Sequence, residues 1–199
     1  MAFEAAPPKG GEGMIQVRGL TVRYGERTVL DGLDMILPDG VSCLTAPSGV
    51  GKTTLLRVLA GLLKPLQGSV ELPGRPILLF QEDRLFPGLS ALGQVEWVLP
   101  KSRRDEDGYF LELVELGGDR DKRPEELSGG MARRVSLARC LAAGAALDAE
   151  VYLLDEPFAG VDPERAARIL ERLRGLGKPV LLTAHSPDLA ARCDRIVEL

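Results

Sequence analysis

The stretch "VSCLTAPSGVGKTTLLRVLAGLL", residues 41–63, decides the fold. Val41–Thr45 is a short apolar run such as a buried strand makes. From Lys52 apolar residues recur at helical spacing, which predicts a helix ended by Pro65. Between the two lies a turn rich in glycine. Strand, glycine turn and helix form the setting in which the pattern G-x-x-x-x-G-K-[ST] binds phosphate. Gly49 and Gly51 let backbone N–H groups approach an anion, and the start of the helix adds the positive end of its dipole. Lys52 is placed to reach the β- and γ-phosphates, and the Thr53 hydroxyl to ligate Mg²⁺. Gly51, Lys52 and Thr53 fit the pattern, but Ala46 stands where the first glycine belongs. If position 46 needs a positive φ, alanine costs about 1–2 kcal/mol there.

Working outward, "VYLLDEP" (151–157) and "PVLLTAH" (179–185) are continuous apolar runs ending in polar residues. Strands buried on both faces read this way, and they belong to parallel sheets. "KTTLLRVLAGLL", "MARRVSLARCLAAGAAL" and "PERAARILERLRGLG" supply helices between them. Alternating strands and helices define an α/β domain. Ahead of this pattern, "MIQVRGLTVRY" and "TVLDGLDMIL" alternate apolar and polar residues and predict an antiparallel meander. Residues 82–126 read as loops and short helices. Their dense mixed charge at 101–126 is a solvated surface in its simplest reading. Residues 1–13, rich in Pro, Gly and Ala, read as a flexible lead without the apolar core of a secretory signal.

The chain has 199 residues, 45% hydrophobic and 27% charged, enough for one domain with a sizeable core. A net charge of −4 argues against nucleic acid as a partner, because polyanion binding needs a basic surface. Cys43, Cys140 and Cys193 are far apart in sequence and form no metal-ligand spacing, which fits free thiols in a reducing compartment. No apolar run reaches the roughly 20 residues of a membrane span, so any membrane link passes through another protein.

Asp155 and Glu156 end a buried strand, where carboxylates are costly unless they act. Asp155 suits a magnesium ligand, and Glu156 a base that polarises an attacking water. Taken alone, such a pair is as easily a solvated strand end. His185, the sole histidine, closes the other apolar strand and so lies on the same sheet edge as the phosphate loop. A second glycine pair stands in "LSGGM" (127–131), at the start of a helix. It raises the question of why one small domain carries two phosphate-like sites.

Together these motifs resemble the nucleotide-binding domain of ABC-type transport ATPases over about residues 14–199. The motifs occur in that family's order. The resemblance implies a P-loop NTPase core with a mostly parallel sheet, an N-terminal antiparallel β subdomain and an inserted helical subdomain at about 82–135. Tyr24 matches the aromatic that stacks on adenine. "APSGVGKTT" matches the phosphate loop, with Ser48, Gly49, Gly51, Lys52, Thr53 and Thr54 as nucleotide ligands. Gln81 matches the glutamine that contacts Mg²⁺ and water. "LLDEP" supplies Asp155 for the metal and Glu156 for catalysis. His185 matches the histidine that contacts the γ-phosphate. Asp162 ends "AGVD", which resembles the D-loop.

"LSGGM" matches the family signature, usually LSGGQ. The resemblance answers the question of the second site. Two domains pack head to tail, and Ser128, Gly129 and Gly130 bind the ATP held by the partner. Met131 replaces the usual glutamine and implies weaker contacts there. ATP and Mg²⁺ are the implied cofactors. The implied partners are a second nucleotide-binding domain, a transmembrane permease and a solute-binding protein, with the chain peripheral on the inner membrane face.

"FQEDRLFPGLSALGQVEWVL" (80–99) is similar to importers of small oxyanions, sulfonates or thiamine-like compounds. Leu85, Phe86, Leu89 and Trp97 are candidates for docking the permease, with the core of a helical subdomain as their alternative. A non-transport ABC ATPase and a binding-only subunit are the rival readings. Tandem domains and long insertions are lacking for the first, while Lys52, Glu156 and His185 argue against the second. A small kinase or GTPase leaves LSGGM unexplained.

Overall fold

The computed structural model describes residues 14–199; the lead read at residues 1–13 lies outside them. Two sheets organise the chain. In the smaller, β1 (Ile15–Tyr24) and β2 (Arg27–Leu37) pair antiparallel. The alternation in their sequence buries Ile15, Val17, Leu20 and Val22 on one face. The third strand is β4 (Gln67–Glu71), which pairs with the free edge of β1. The sheet is therefore not the continuous meander expected. The chain leaves after β2, builds the phosphate loop and its helix, and only then returns to close the sheet.

The larger sheet holds β3 (Val41–Thr45), β5 (Pro76–Leu79), β6 (Val151–Leu154), β7 (Val180–Thr183) and β8 (Arg195–Glu198). All pair in parallel in the order β5-β6-β7-β3-β8. Side chains alternate across it. Cys43, Leu154 and Leu182 enter one core, with helices α4 (Gly129–Ala146) and α5 (Pro163–Arg174). Leu44, Leu153 and Leu181 enter another, shared with α1 (Lys52–Leu59) and the antiparallel sheet. Burial on both faces is why these strands are apolar throughout. Their carboxyl ends, where ligands bind in such sheets, all point to one edge.

Two helix boundaries differ from expectation. Helix α1 ends at Leu59, well before Pro65. Gly61 takes φ 70°, its N–H donates to Val58 O at 2.9 Å, and Leu62 N–H donates to Arg57 O at 2.9 Å. This left-handed glycine stop satisfies the last carbonyls. Helix α4 starts earlier than expected, at Gly129, so the glycine pair lies inside its first turn. Ser128 is the N-cap, its Oγ accepting from Met131 N–H at 3.3 Å.

Between β5 and α4 run the short helices α2 (Ala91–Glu96) and α3 (Asp107–Leu113). Buried Gln94 shapes the loop before α2, donating to Phe86 O at 2.7 Å and accepting from Phe86 N–H at 3.1 Å. Helix α6 (Pro187–Ala190) precedes β8.

Candidate active site

Tyr24, Ser48, Gly49, Gly51, Lys52, Thr53, Thr54, Gln81, Glu156 and His185 line one cleft of about 510 Å³. Its floor is the β3–α1 turn. Gly49 and Gly51 take φ 81° and 129°, a region closed to most side chains. A Cβ at Gly51 would also strike Val29 and Leu30. Ala46 is not among the residues with positive φ, so the condition under which alanine would be costly there is not met.

Lys52 is only 7% exposed. Its Nζ donates to Ala46 O at 2.7 Å and Pro47 O at 3.3 Å, and no carboxylate pairs with it among the described residues. A buried ammonium facing only carbonyl dipoles is incompletely compensated, and the donor set around it fits a polyphosphate. Asp155 lies beneath the cleft, 3% exposed. Its carboxylate accepts from Thr53 Oγ1 at 2.7 Å and from Thr183 Oγ1 at 2.8 Å. One hydroxyl and one carboxylate suit a magnesium ion whose other ligands are phosphate and water. No group of three His, Cys, Asp or Glu side chains that could cage a metal occurs among the described residues.

Glu156 gathers the remaining groups. Its Oε1 lies 2.9 Å from His185 Nε2 and accepts from Gln81 Nε2 at 3.3 Å. A hydrogen bond to a carboxylate oxygen that accepts places a proton on His185 Nε2. Glu156 itself has φ 50°, a conformation costing on the order of 1–2 kcal/mol for a residue with a Cβ. It is held from both sides. Its N–H donates to Thr183 Oγ1 at 2.8 Å, and its carbonyl accepts from Arg133 Nε at 2.8 Å.

Ser128, Gly129, Gly130 and Asp162 do not line this cleft. They sit at the starts of α4 and α5. Asp162 caps α5, accepting from Arg165 N–H at 2.9 Å. That N–H, then the Arg165 guanidinium, hold its carboxyl below the usual range. A Cβ on Gly130 would collide with the Gly160 carbonyl oxygen, whereas one on Gly129 would meet nothing. The second glycine is thus required by packing within the chain, and the first leaves the helix start open. Met131 is half-buried and packs against the larger core.

Thr183, Arg133 and Arg27 were not singled out from sequence. Arg27 lines the cleft and donates to Gly49 O at 3.2 Å. Thr183 had a visible signal, a hydroxyl ending an apolar strand two residues before His185. The thiols are free, and burial pushes that of Cys140 up to about 12, consistent with a structural role.

A parallel α/β sheet with a lysine and threonine in a glycine turn, above a strand-end aspartate, defines a P-loop nucleoside triphosphatase. The comparisons with known proteins go further. The family described as "ABC transporter" matches residues 20–159. The aliphatic sulfonates import ATP-binding protein SsuB 1 of Nocardia farcinica is 39% identical over 93% of this chain and 77% of its own length. SsuB 3 of Paraburkholderia xenovorans is 41% identical over 98% and 81%. A dimeric post-hydrolysis state of the ATP-binding cassette MJ0796, bound to ADP and Pi, superposes with a TM-score of 0.80, 26% identity and coverage of 93% and 94%. The chain belongs to the ABC transporter family. It is an ATP-binding, ATP-hydrolysing subunit that acts with a second cassette and a separate membrane permease. No helix among the described residues is long and apolar enough to cross a membrane.

Proposed function

We propose that two copies of this chain pair head to tail around two ATP molecules and drive import of a small organic anion, with sulfonates as the first class to test. The phosphate chain rests on Lys52, Ser48, Gly49, Gly51 and Thr54, and adenine on Tyr24. Thr53, Asp155 and Gln81 would hold the magnesium, which would supply charge neutralisation at the phosphates. Glu156 takes the proton of the attacking water, and His185 and Gln81 orient that carboxylate and the γ-phosphate. Ser128, Gly129, Gly130 and Asp162 complete the site of the partner. The observation that carries this reading is the meeting of Gln81 and His185 on Glu156 Oε1, beside a buried Lys52 that only backbone carbonyls neutralise.

The sulfonate assignment rests on the printed activity of the SsuB relatives. Phe86 and Trp97 are exposed, with ring centroids 5.4 Å apart, and form the face that receives the permease in this reading. Leu85 packs on the core and Leu89 is half-buried, so those two serve the fold first. A solute-binding protein completes the importer, and the permease holds the chain on the inner membrane face.

The test is Mg²⁺-dependent ATP hydrolysis at increasing protein concentration. Activity rises more steeply than linearly, because each site needs two chains. Strict proportionality down to dilute protein, without an ATP-dependent dimer, sinks the composite-site reading.

A further inference from the structure

Arg133 is 2% exposed, in α4 one turn beyond the Ser128 cap. A buried guanidinium is costly unless its N–H groups find partners, and here they do. Nε donates to Glu156 O at 2.8 Å, and Nη2 donates to Asp155 O. Nη1 donates to Phe80 O at 2.8 Å, to Gln81 O at 3.1 Å and to Asp83 Oδ1 at 2.9 Å. Phe80 and Gln81 follow β5; Asp155 and Glu156 follow β6. One planar group thus joins the two loops that carry Gln81 and Glu156. A lysine, with a single point of donation, lacks the fork that spans both. Arg133 does not line the cleft.

We propose that Arg133 is a positioning residue for ATP hydrolysis. It fixes the backbones of Gln81 and Glu156 against each other, so that their side chains meet where the water is activated, and it never touches nucleotide. The left-handed turn at Glu156 depends on it, since Arg133 and Thr183 hold the two sides of that residue. The inference rests on the roles given above to Gln81 and Glu156.

The experiment compares wild type with Arg133→Met and Arg133→Gln. Methionine keeps length but donates nothing. Glutamine offers two N–H donors, enough for one carbonyl on each loop. Melting temperature, affinity for a fluorescent ATP analogue and kcat are read for each. A misplacement of about 1 Å costs roughly 10²-fold in rate, so kcat of the methionine variant is expected to fall by about 10- to 100-fold. Its nucleotide affinity stays within about threefold, because Lys52 and the phosphate loop are untouched. Glutamine restores most of kcat. Wild-type kcat in the methionine variant overturns the inference. So does a loss of affinity and kcat in step with melting temperature, or a glutamine variant as slow as the methionine one.

If the methionine variant does not fold, Asp83→Asn is read instead, since it removes the one charged partner of Arg133. A kcat reduced several-fold at unchanged affinity supports the inference, and an unchanged kcat overturns it. Glu156→Gln serves as the control. Absence of ATP hydrolysis by wild type would be a failure of the ATPase reading. Activity that is lost in Glu156→Gln but intact in Arg133→Met would be a failure of this inference alone.

Discussion

Glu156 combines a left-handed backbone with contacts to both Gln81 and His185. The two facts are connected. Asp155, at the end of β6, faces the hydroxyls of Thr53 and Thr183. The turn of the chain at the next residue brings the Glu156 carboxylate to the cleft. Glu156→Gln preserves size and the hydrogen bond from Gln81 but removes the base. Hydrolysis is expected to drop by about 10²–10⁴, the range for loss of general base catalysis. ATP still binds, and an ATP-bound dimer accumulates, measurable by light scattering beside a phosphate-release assay. Rapid turnover by this variant removes Glu156 from the role. At this scale the sequence was informative wherever a polar residue interrupts an apolar run: Lys52, Thr53, Asp155, Glu156 and His185. It was silent on Arg133, because nothing local in "MARRVSLAR" says which arginine turns inward. That depends on two loops separated from Arg133 by tens of residues. Whether position 46 takes a positive φ was unreadable for a related reason, since φ is set by the turn as a whole.

Helices α3 and α5 are joined by Glu115, which follows α3 with φ 57°. Its carboxylate receives Arg165 at 3.0 Å and Arg168 at 2.6 Å, with Arg172 at 3.6 Å. Those arginines recur every three or four residues along one side of α5. Arg134 of α4 fixes the carbonyls of Val114 and Glu115 from behind. The charge run at 101–126, which reads as a solvated surface, therefore also holds an inter-element clamp. Charge pairing across elements has no signature in a one-dimensional pattern. The Arg168 guanidinium, followed by Arg165, holds the Glu115 carboxyl down at about 2, below its ordinary 4.5. A depressed value means that stabilisation is complete above 4.5 and disappears as pH falls towards about 2. Glu115→Gln is expected to destabilise by roughly 1–2 kcal/mol near neutral pH, more than a lone exposed pair, because several guanidinium groups lose their anion. Urea unfolding at pH 7, 5, 4 and 3 checks this. The gap between variant and wild type is constant from pH 7 to 5 and narrows below. A gap that is missing at pH 7, or unchanged at pH 3, contradicts the clamp.

Over the whole molecule, the residues assigned to phosphate fall into two groups. One lines the cleft at the carboxyl ends of the strands, and the other stands at the starts of α4 and α5, outside it. The order of motifs along the chain implied both groups, but only the folded arrangement separates them. The proposed head-to-tail pairing gives that separation a purpose, and it makes a strong prediction about mixtures. Ser128→Arg places a bulky cation where the partner's ATP would sit, at the cost of one helix cap, roughly 1 kcal/mol. The variant is expected to bind ATP in its own cleft and to hydrolyse none. Glu156→Gln is inactive for the opposite reason, a damaged cleft with an intact helix start. When the two are combined before ATP is added, each mixed dimer has one undamaged site, the cleft of the first variant closed by α4 of the second. Random pairing at equal amounts gives about one quarter of the wild-type rate per chain if the two sites of a symmetric dimer act independently. Phosphate release from the mixture above the sum of the separate variants demonstrates a site shared between chains. Release equal to that sum, with mixed dimers present by cross-linking, rejects sharing and confines catalysis to the cleft of a single chain.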